Sequence, residues 1–430
     1  MKHIKTYITP ILIALYLSAC SEATNSPVAL SSGNESIPDI KDISFGEGGY
    51  RKSDFPGRPV LIDGRDMDFH PNGTIAIAGH FETLDTSHKQ VGITLMDTQG
   101  NLVESFGNGG QINIEFPVNV ITENLAFQGD NILVVARLGA NMTITRIDQT
   151  GSLDTSFRER GSFIENRHNS RNSFYPGEMV VDEQHRIYIA GEFNPNDLFV
   201  FRYLPDGQPD PSFGDQGRVF LGHDRPLHEG NLALSPDGRL MMSAVYSESS
   251  FNDKTIVFAL LPDGSIDTSF GDEGRSIVGH DGGQRGIFNR GITVDQLGRS
   301  IVVNTSNSIN VSTFGVIYRL NTDGSLDTSF GDQGYTVIDE GWSLGLFKPA
   351  LDGDRIVVSG YLRKSIFDTD LFIIRLTNTG ALDNTFGQRG RGIVDVGEFA
   401  EARDTAVFGG HYYLGGYVGS DQALIARVAP

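Results

Sequence analysis

The sequence contains very little cysteine and tryptophan, with one residue of each among 430. A single cysteine excludes a disulfide framework and a zinc site built from cysteines. The lone tryptophan, Trp342, argues against a lectin built on tryptophan platforms. The chain also has no P-loop, no GxGxxG string and no HExxH string. We therefore expect neither a cofactor nor a metal site.

Cationic residues are scarce as well, with 34 Lys and Arg against 54 Asp and Glu and a formal net charge of −20. A surface of this charge repels phosphate groups, so nucleic acid is excluded as a partner. The chain is also poor in helical patterns, because no apolar stripe at helical spacing persists over three turns. Its 52 glycines and 17 prolines indicate many turns instead.

The first twenty residues have the pattern of a secretory signal. Two lysines precede a short apolar run, Ile11–Leu17, that is too short to remain as a membrane-spanning helix. The end of this segment, LSAC, resembles the lipobox of bacterial lipoproteins, which implies that Cys20 becomes the lipidated N-terminus. Because Ser21 replaces the Asp that marks inner-membrane retention, the resemblance implies the outer membrane. The alternative is a plain signal peptide.

We divide the chain into a signal peptide (1–19), a lipidated cysteine with a flexible tether (20–40) and one repeat domain (41–430). One motif is written seven times in the repeat domain, for example as LDTSFGDQG. Its phenylalanines are Phe45, Phe106, Phe157, Phe213, Phe270, Phe330 and Phe386. Their spacing of 51 to 61 residues indicates a solenoid, an array or a propeller.

Each unit carries four short strands separated by turns such as Pro262-Asp263-Gly264. Seven all-β units of this kind predict a seven-bladed β-propeller of four-stranded antiparallel blades. The last unit lacks a closing motif, and the first motif has no strands before it. We therefore expect the N-terminal motif to complete the C-terminal blade. The motif resembles the delta-60 repeat family of bacterial proteins, which implies the fold far more than a function.

A comparison of the repeats predicts how the ring closes. An Arg in the last strand of several units lies opposite the motif Asp across a tight turn. In the last unit the Arg is Arg427, and the matching residue is Asp42 at the other end of the domain. We predict an Arg427–Asp42 ion pair beside Phe45 that latches the ring. For the motif Asp residues an Asx-type turn with an ion pair is favoured over a ring of calcium sites.

Candidate binding residues lie on the face with irregular loops, since variable loops on a rigid scaffold commonly bind ligands. Just before the strands nearest the axis stand four cations, and Trp342 lies in one loop. The cations are Arg65, Arg290, Lys348 and Arg403. A basic rim would attract an anionic ligand. The alternative is that each cation pairs with a neighbouring acid such as Asp66, Glu401 or Asp404.

The sequence favours a membrane-anchored extracytoplasmic binding or scaffold module whose ligand is an unknown protein or glycan. One alternative is a propeller enzyme, a lyase or hydrolase acting on glycan or peptide at the channel mouth. Another is a purely structural element. The GxSxG string at 341–345 lies between strands with no helix after it, so we expect no nucleophile there. Three or more titratable groups in a deep pocket would favour catalysis, whereas a charged or aromatic plateau would favour binding.

Overall fold

The computed structural model describes residues 36–53, 59–83, 89–158, 160–166, 173–193, 197–249, 252–279, 286–307, 313–365, 368–419 and 422–430. The signal segment, Cys20 and the tether up to residue 35 lie outside these residues. The described chain forms seven four-stranded antiparallel sheets and contains no helix. The predicted seven-bladed propeller is confirmed.

Strands are numbered in chain order from β1 (Tyr50–Ser53), and each blade is given from its innermost to its outermost strand. Blades 1 to 3 are β2–β5 (Pro59–Phe69, Ile75–Thr83, Gln90–Met96, Gln111–Ile114), β6–β9 (Val120–Gln128, Asn131–Leu138, Asn141–Ile147, Ser162–Glu165) and β10–β13 (Phe174–Val181, Ile187–Phe193, Asp197–Tyr203, Arg218–Gly222). Blades 4 and 5 are β14–β17 (Leu227–Leu234, Leu240–Ser249, Asn252–Leu260, Arg275–Val278) and β18–β21 (Ile287–Val294, Ser300–Asn307, Thr313–Leu320, Tyr335–Ile338). Blade 6 is β22–β25 (Ser343–Asp352, Arg355–Ser365, Asp368–Leu376, Arg391–Val394), and blade 7 is β26–β28 (Ala400–Phe408, His411–Val418, Gln422–Val428) followed by β1.

Blade 7 closes the ring in the predicted way. Strand β1 pairs antiparallel with β28, with Tyr50 opposite Ala426 and Ser53 opposite Ala423. The N-terminal contacts begin three residues before the predicted boundary at residue 41. The backbone N–H of Ile40 donates to the carbonyl of Ile393, whose own N–H donates to the carbonyl of Pro38, each at 3.0 Å. This segment therefore lies along the outer edge of blade 6.

The repeated motif joins each blade to the next. Its phenylalanine is at most 2 % exposed in all seven copies. In five copies the following glycine donates its N–H to a turn carbonyl of the next blade, as Gly271 does to Asp323 at 2.7 Å. The motif Asp forms the expected Asx turn, since Asp327 Oδ1 accepts from the Ser329 hydroxyl at 2.6 Å. The glycine is required because Gly271 has φ +57 and a Cβ there would lie 2.1 Å from the Arg275 carbonyl oxygen.

An arginine beside each of five motifs connects several elements at once. The Arg Nε to Asp Oδ2 distances are 2.8 Å for Arg146–Asp154, Arg202–Asp210 and Arg319–Asp327, and 2.9 Å for Arg375–Asp383 and Arg427–Asp42. In Arg202 the two Nη atoms donate to the Ser212 hydroxyl at 2.7 Å and to the Pro262 carbonyl of the next blade at 2.5 Å. The same guanidinium stacks on the motif ring of Phe213. We call these five residues the junction arginines.

The predicted contact between Arg427 and Asp42 is present. Arg427 also donates to the Ser44 hydroxyl at 2.7 Å and to the Thr98 carbonyl of blade 1 at 2.5 Å, and it stacks on Phe45. Two backbone hydrogen bonds accompany them, because Asp42 N donates to Arg427 O and Arg427 N donates to Gly49 O. One side chain thus joins the last strand, the first motif and blade 1.

Blade 4 has Ala259 where five other blades carry the junction arginine, yet Asp267 keeps a cationic partner. Arg239, at the turn before the second strand of the blade, places Nη1 3.2 Å from Asp267 Oδ2. Equivalent positions in blades 5 and 6 hold Arg299 and Arg355, which contact the motif Asp in addition to the junction arginine. A second donor position therefore substitutes for the first in blade 4.

Candidate ligand-binding site

The two faces of the propeller differ in the chain segments that form them. The innermost and third strands of each blade end on one face, which carries the short turns and the motifs and is called the turn face. The innermost strands begin on the opposite face, called the loop face. The irregular loops predicted at 50–64, 164–177, 221–230, 247–254, 278–290, 339–348 and 363–370 belong to the loop face, although parts of several lie outside the described residues.

Every innermost strand is interrupted by a β-bulge at the same level. The pairing with the second strand shifts there in all seven blades, for example between Asn289 and Gly291 in blade 5. A bulge re-aims side chains and is enriched next to functional sites. The pairing skips one residue in five blades and two residues in blades 4 and 6, where Gly230 and Lys348 are the second ones. The first skipped residues, taken in chain order, are Arg65, Glu123, Gly177, Glu229, Arg290, Phe347 and Arg403. We call them the bulge ring.

Three of the four predicted cations belong to this ring. Arg65, Arg290 and Arg403 lie inside β2, β18 and β26, not just before the innermost strands as predicted. The position differs because each strand begins farther out toward the loop face and continues through its bulge. The prediction that these cations gather at the channel on the loop face agrees with their place in the ring.

A second ring of residues lies one step deeper in the channel than the bulge ring. This polar ring consists of Asp66, Asn124, Glu178, Asn231, Gly291, Lys348 and Asp404. Several members bind the next blade, since Asp66 Oδ2 accepts from Leu125 N at 2.8 Å and Asp404 Oδ2 accepts from Met67 N at 3.1 Å. The polar ring therefore ties neighbouring innermost strands together.

Lys348 crosses the channel within the polar ring. Its Nζ lies 3.0 Å from Glu178 of blade 3, 3.5 Å from Asp66 of blade 1 and 3.8 Å from Asp404 of blade 7. Lys348 was predicted to stand at the rim. Instead it is buried at the axis, and the alternative that it pairs with Asp66 and Asp404 is confirmed for this residue.

The charges in the polar ring balance one another in part. Burial raises the pKa of Asp66 and Glu178, and the Lys348 ammonium opposes that rise. Burial disfavours the Lys348 ammonium, but the carboxylates of Asp404, Asp66 and Glu178 together raise its pKa well above the ordinary value. Lys348 therefore remains protonated, and its single ammonium is shared by three carboxyl groups.

The cluster separates the two ends of the channel. On its turn-face side lies a cavity of about 370 Å³ bordered by the innermost strands of blades 1 to 6, including Asp68 and Glu178. Lys348 forms part of the cavity wall, and 31 % of its side chain is accessible there. A ligand that enters from the loop face meets the bulge ring first and is stopped by Lys348.

Arg290 is a cation of the bulge ring that packs against aromatic side chains. Its guanidinium carbon lies 4.5 Å from the ring centre of Phe288 and 4.9 Å from that of Phe347. It forms no ion pair with any described residue, and its buried Nε has no hydrogen-bond partner among them. Burial lowers the pKa of Arg290, and Glu229 opposes that effect. An arginine is nevertheless fully charged at neutral pH.

Arg403 packs over the same Phe347 ring at 4.8 Å. Its Nη2 lies 2.9 Å from Glu401, which also contacts Arg363 at 3.3 Å, so the alternative pairing with Glu401 is confirmed for Arg403. Arg403 also donates to the Tyr417 hydroxyl at 3.3 Å. Two guanidinium groups thus flank one aromatic ring at the loop-face mouth of the channel.

Two groups at this mouth are poorly suited to proton transfer, whereas burial raises the pKa of Glu229 in the bulge ring. Burial raises the pKa of Tyr417 to about 12, so its hydroxyl stays protonated. Burial also lowers the pKa of His80 to about 3, with Arg65 adding to the effect, so this imidazole stays neutral. Neither group has the pKa near the working pH that an efficient general base requires.

Trp342 is 50 % exposed at the start of β22. In the neighbouring GxSxG string the Ser343 hydroxyl lies 2.8 Å from that of Thr313, and no helix follows. No group of three or more His, Cys, Asp or Glu side chains in the described chain is arranged to hold a metal ion. None of the described segments forms a helix of the length and apolarity needed to span a bilayer.

Sequence reasoning missed the bulge ring, the partners of Lys348 and the aromatic neighbours of Arg290. The innermost strands differ in sequence from blade to blade, so a bulge at a common level leaves no repeated string. One signal was available: an arginine or lysine near the start of the innermost strand in four blades.

Comparison with known proteins supports the fold. Residues 186–213 and 298–330 match a family model described as "Domain of unknown function (DUF5122) beta-propeller". No curated protein matches the chain. A solved structure of the polysaccharide lyase Uly1 is 10 % identical, with 93 % of this chain and 95 % of that chain covered and a TM-score of 0.51.

Two further structures are less similar. An ulvan lyase of family PL25 is 9 % identical, with 88 % of this chain and 96 % of that chain covered and a TM-score of 0.48. The Sqt1 protein from Chaetomium thermophilum is 12 % identical, with 88 % and 98 % covered and a TM-score of 0.44. At these identities the likeness concerns the fold alone. The predicted resemblance to a repeat β-propeller family is confirmed, and the chain is a β-propeller in which two stretches match the family of unknown function DUF5122.

Proposed function

We propose that the protein is a binding module that takes an anionic ligand at the loop-face mouth of its channel. Arg290 carries the proposal, because a charged guanidinium that packs on two aromatic rings and forms no ion pair with any described residue is prepared to receive an anion. Arg403, on the other side of Phe347, supplies a second guanidinium. In a protein with a net charge of −20, such a site makes the mouth locally attractive to anions.

The second part of the proposal concerns location. Cys20 anchors the module to the bacterial outer membrane through a lipid, and the tether holds the propeller on the periplasmic or cell-surface side. The support is the LSAC string after a short apolar run. Cys20→Ala should move the protein from the detergent phase to the aqueous phase in a partition assay. Unchanged partitioning would contradict the anchor without affecting the ligand site.

The enzyme alternative draws support from the polysaccharide lyase Uly1, which shares the fold. The raised pKa of Tyr417 and the lowered pKa of His80 do not favour it. In addition, the titratable cluster deeper in the channel is already engaged, because Lys348 pairs with three carboxylates. We therefore place binding ahead of catalysis.

The ligand site is tested with full-length protein in detergent and a panel of immobilised polyanions, including a polyuronate, a sulfated glycan and poly-glutamate. Arg290→Gln with Arg403→Gln should weaken binding of the panel members that the wild type retains at least tenfold, because two charged donors are removed. Glutamine avoids placing a new carboxylate beside Glu229 and Glu401.

The matched control is Arg160→Gln with Arg389→Gln. Both residues are exposed and occupy the same motif position on the turn face, so the net charge changes equally. Retained affinity in the control locates binding at the mouth. Equal losses in both variants, or no binding of any polyanion by the wild type, would overturn the proposed site.

A further inference from the structure

Guanidinium groups and aromatic rings alternate around the loop-face mouth. Each of four arginines packs against a ring at a guanidinium-to-centroid distance of 4.5 to 5.4 Å. The pairs are Arg137–Tyr175, Arg290–Phe288, Arg363–Tyr361 and Arg403–Tyr417. They extend over blades 2, 3, 5, 6 and 7. The pairing is therefore a property of the mouth as a whole.

Guanidinium groups stand on both sides of the axis, since Arg137 belongs to blade 2 and Arg290 to blade 5. Arg65 of blade 1 lies between the blade 2 and blade 7 arginines in the order around the ring. A single small anion cannot contact groups so distributed. A ligand with several negative groups can, and Lys348 prevents it from passing through the channel. Such a ligand must lie across the mouth.

Two of the rings offer accessible apolar surface beside a cation. Tyr175 is 43 % exposed and Phe288 is 36 % exposed. A sugar ring has one apolar face that packs on an aromatic side chain, and its acidic substituent can bind the adjacent guanidinium. In the same bulge ring Glu123 lies 3.6 Å from Arg137, and Glu229 accepts from the Asn289 N–H at 2.6 Å. A carboxylate has further lone pairs, which can accept hydrogen bonds from sugar hydroxyls.

From this arrangement we infer that the ligand is an acidic glycan of several residues that lies across the loop-face mouth, with its sugar rings on the aromatic side chains and its carboxylates or sulfates on the neighbouring arginines. The inference rests on the proposed function and narrows it. An acidic peptide would use the arginines but not the rings.

The inference is tested by biolayer interferometry with full-length protein and four oligomers of eight residues: octagalacturonate, a sulfated dextran, neutral maltooctaose and octaglutamate. We expect at least one acidic glycan to bind, maltooctaose not to bind, and octaglutamate to bind at least tenfold more weakly than that glycan. Monomeric galacturonate should bind far more weakly than its octamer, because it reaches only one arginine.

Tyr175→Ala and Phe288→Ala separate glycan recognition from charge recognition. Each should weaken the acidic glycan about threefold to tenfold through the lost aromatic contact and leave octaglutamate unchanged. Phe220→Ala is the control, because Phe220 is 44 % exposed on the outermost strand of blade 3, away from the mouth. Thermal melting of each variant shows that it is folded.

Octaglutamate binding as tight as that of the best acidic glycan, with no effect of the aromatic substitutions, would overturn the glycan and leave the anion site standing. Absence of binding to all three polyanions would overturn both. Preference for the sulfated dextran or for octagalacturonate distinguishes sulfate from carboxylate as the recognised group, and either preference supports the inference.

Discussion

The junction arginines and Arg290 at the loop-face mouth use the same side chain under opposite conditions. Arg202 is 2 % exposed, and a carboxylate, a hydroxyl, a carbonyl and an aromatic ring surround its guanidinium. Arg290 also packs on aromatic rings, but among the described residues it has no carboxylate within ion-pair distance. A guanidinium whose donors are satisfied stabilises the fold, whereas one with unsatisfied donors is available to a ligand.

Lys348 has three carboxylates as partners, so removing its ammonium should have the largest effect on stability. Lys348→Met leaves Asp66, Glu178 and Asp404 buried without their ammonium and should lower the free energy of unfolding by about 3–5 kcal/mol at pH 8. Urea unfolding measures the loss. Lys254→Met, at a surface pair with Glu248, is the control and should change stability by less than about 1 kcal/mol.

The Lys348→Met loss should also depend on pH. Without the ammonium, the pKa values of Asp66 and Glu178, already raised by burial, rise further above the unfolded value. A carboxyl with a raised pKa in the folded state stabilises the fold at low pH, and this contribution is lost as the pH rises. The difference between variant and wild type should therefore be smaller at pH 5 than at pH 8. A pH-independent difference would contradict the cluster.

The Arg427–Asp42 contact should have the next largest effect. Arg427→Ala removes the ion pair, two further hydrogen bonds and the stacking on Phe45, and should lower stability by about 2–4 kcal/mol. Exchanging the residues, Asp42→Arg with Arg427→Asp, should recover part of the loss in a double-mutant cycle. Arg51→Ala, whose partner Glu47 is largely exposed, provides the control. Strictly additive losses would show that the pair does not act as a latch.

A smaller effect is expected in blade 4, where Arg239 alone among described cations pairs with Asp267. Arg239→Ala should lower stability by about 1–2 kcal/mol because Asp267 loses a charged hydrogen bond. Introducing Ala259→Arg into that variant restores the arginine found in five other blades and should recover part of the loss. No recovery would show that the two donor positions are not interchangeable.

The architecture was accessible from sequence because the motif recurs seven times with the same Phe, and with the Asp and the following Gly in six copies each. The Arg427–Asp42 contact followed from aligning the repeats, which places two residues from opposite chain ends at one position. The partner of Asp267 was not accessible, since Arg239 approaches from a different strand that is distant in the repeat. An alignment of the blades shows only the residues that they have in common. Arg239 takes the place of the junction arginine, which blade 4 lacks.

The candidate site was only partly predictable. A cation near the start of four innermost strands indicated Arg65, Arg290, Lys348 and Arg403 together, but nothing local distinguishes them. A β-bulge places Arg290 between Phe288 and Phe347, whereas Lys348, one position deeper, reaches the carboxylates of blades 1, 3 and 7. Burial and partners across the axis decide between a ligand site and a structural cluster, and neither is visible in a single strand.

The most direct test measures melting temperature and polyanion affinity on the same preparations of Arg290→Gln and Arg202→Gln. The account predicts that Arg290→Gln keeps the melting temperature within a few degrees and loses affinity about tenfold, whereas Arg202→Gln lowers the melting temperature and keeps its affinity while folded. The distinction between Arg290 and the junction arginines would be contradicted by either of two results. One is a melting temperature that falls as far in Arg290→Gln as in Arg202→Gln, and the other is an unchanged affinity in Arg290→Gln.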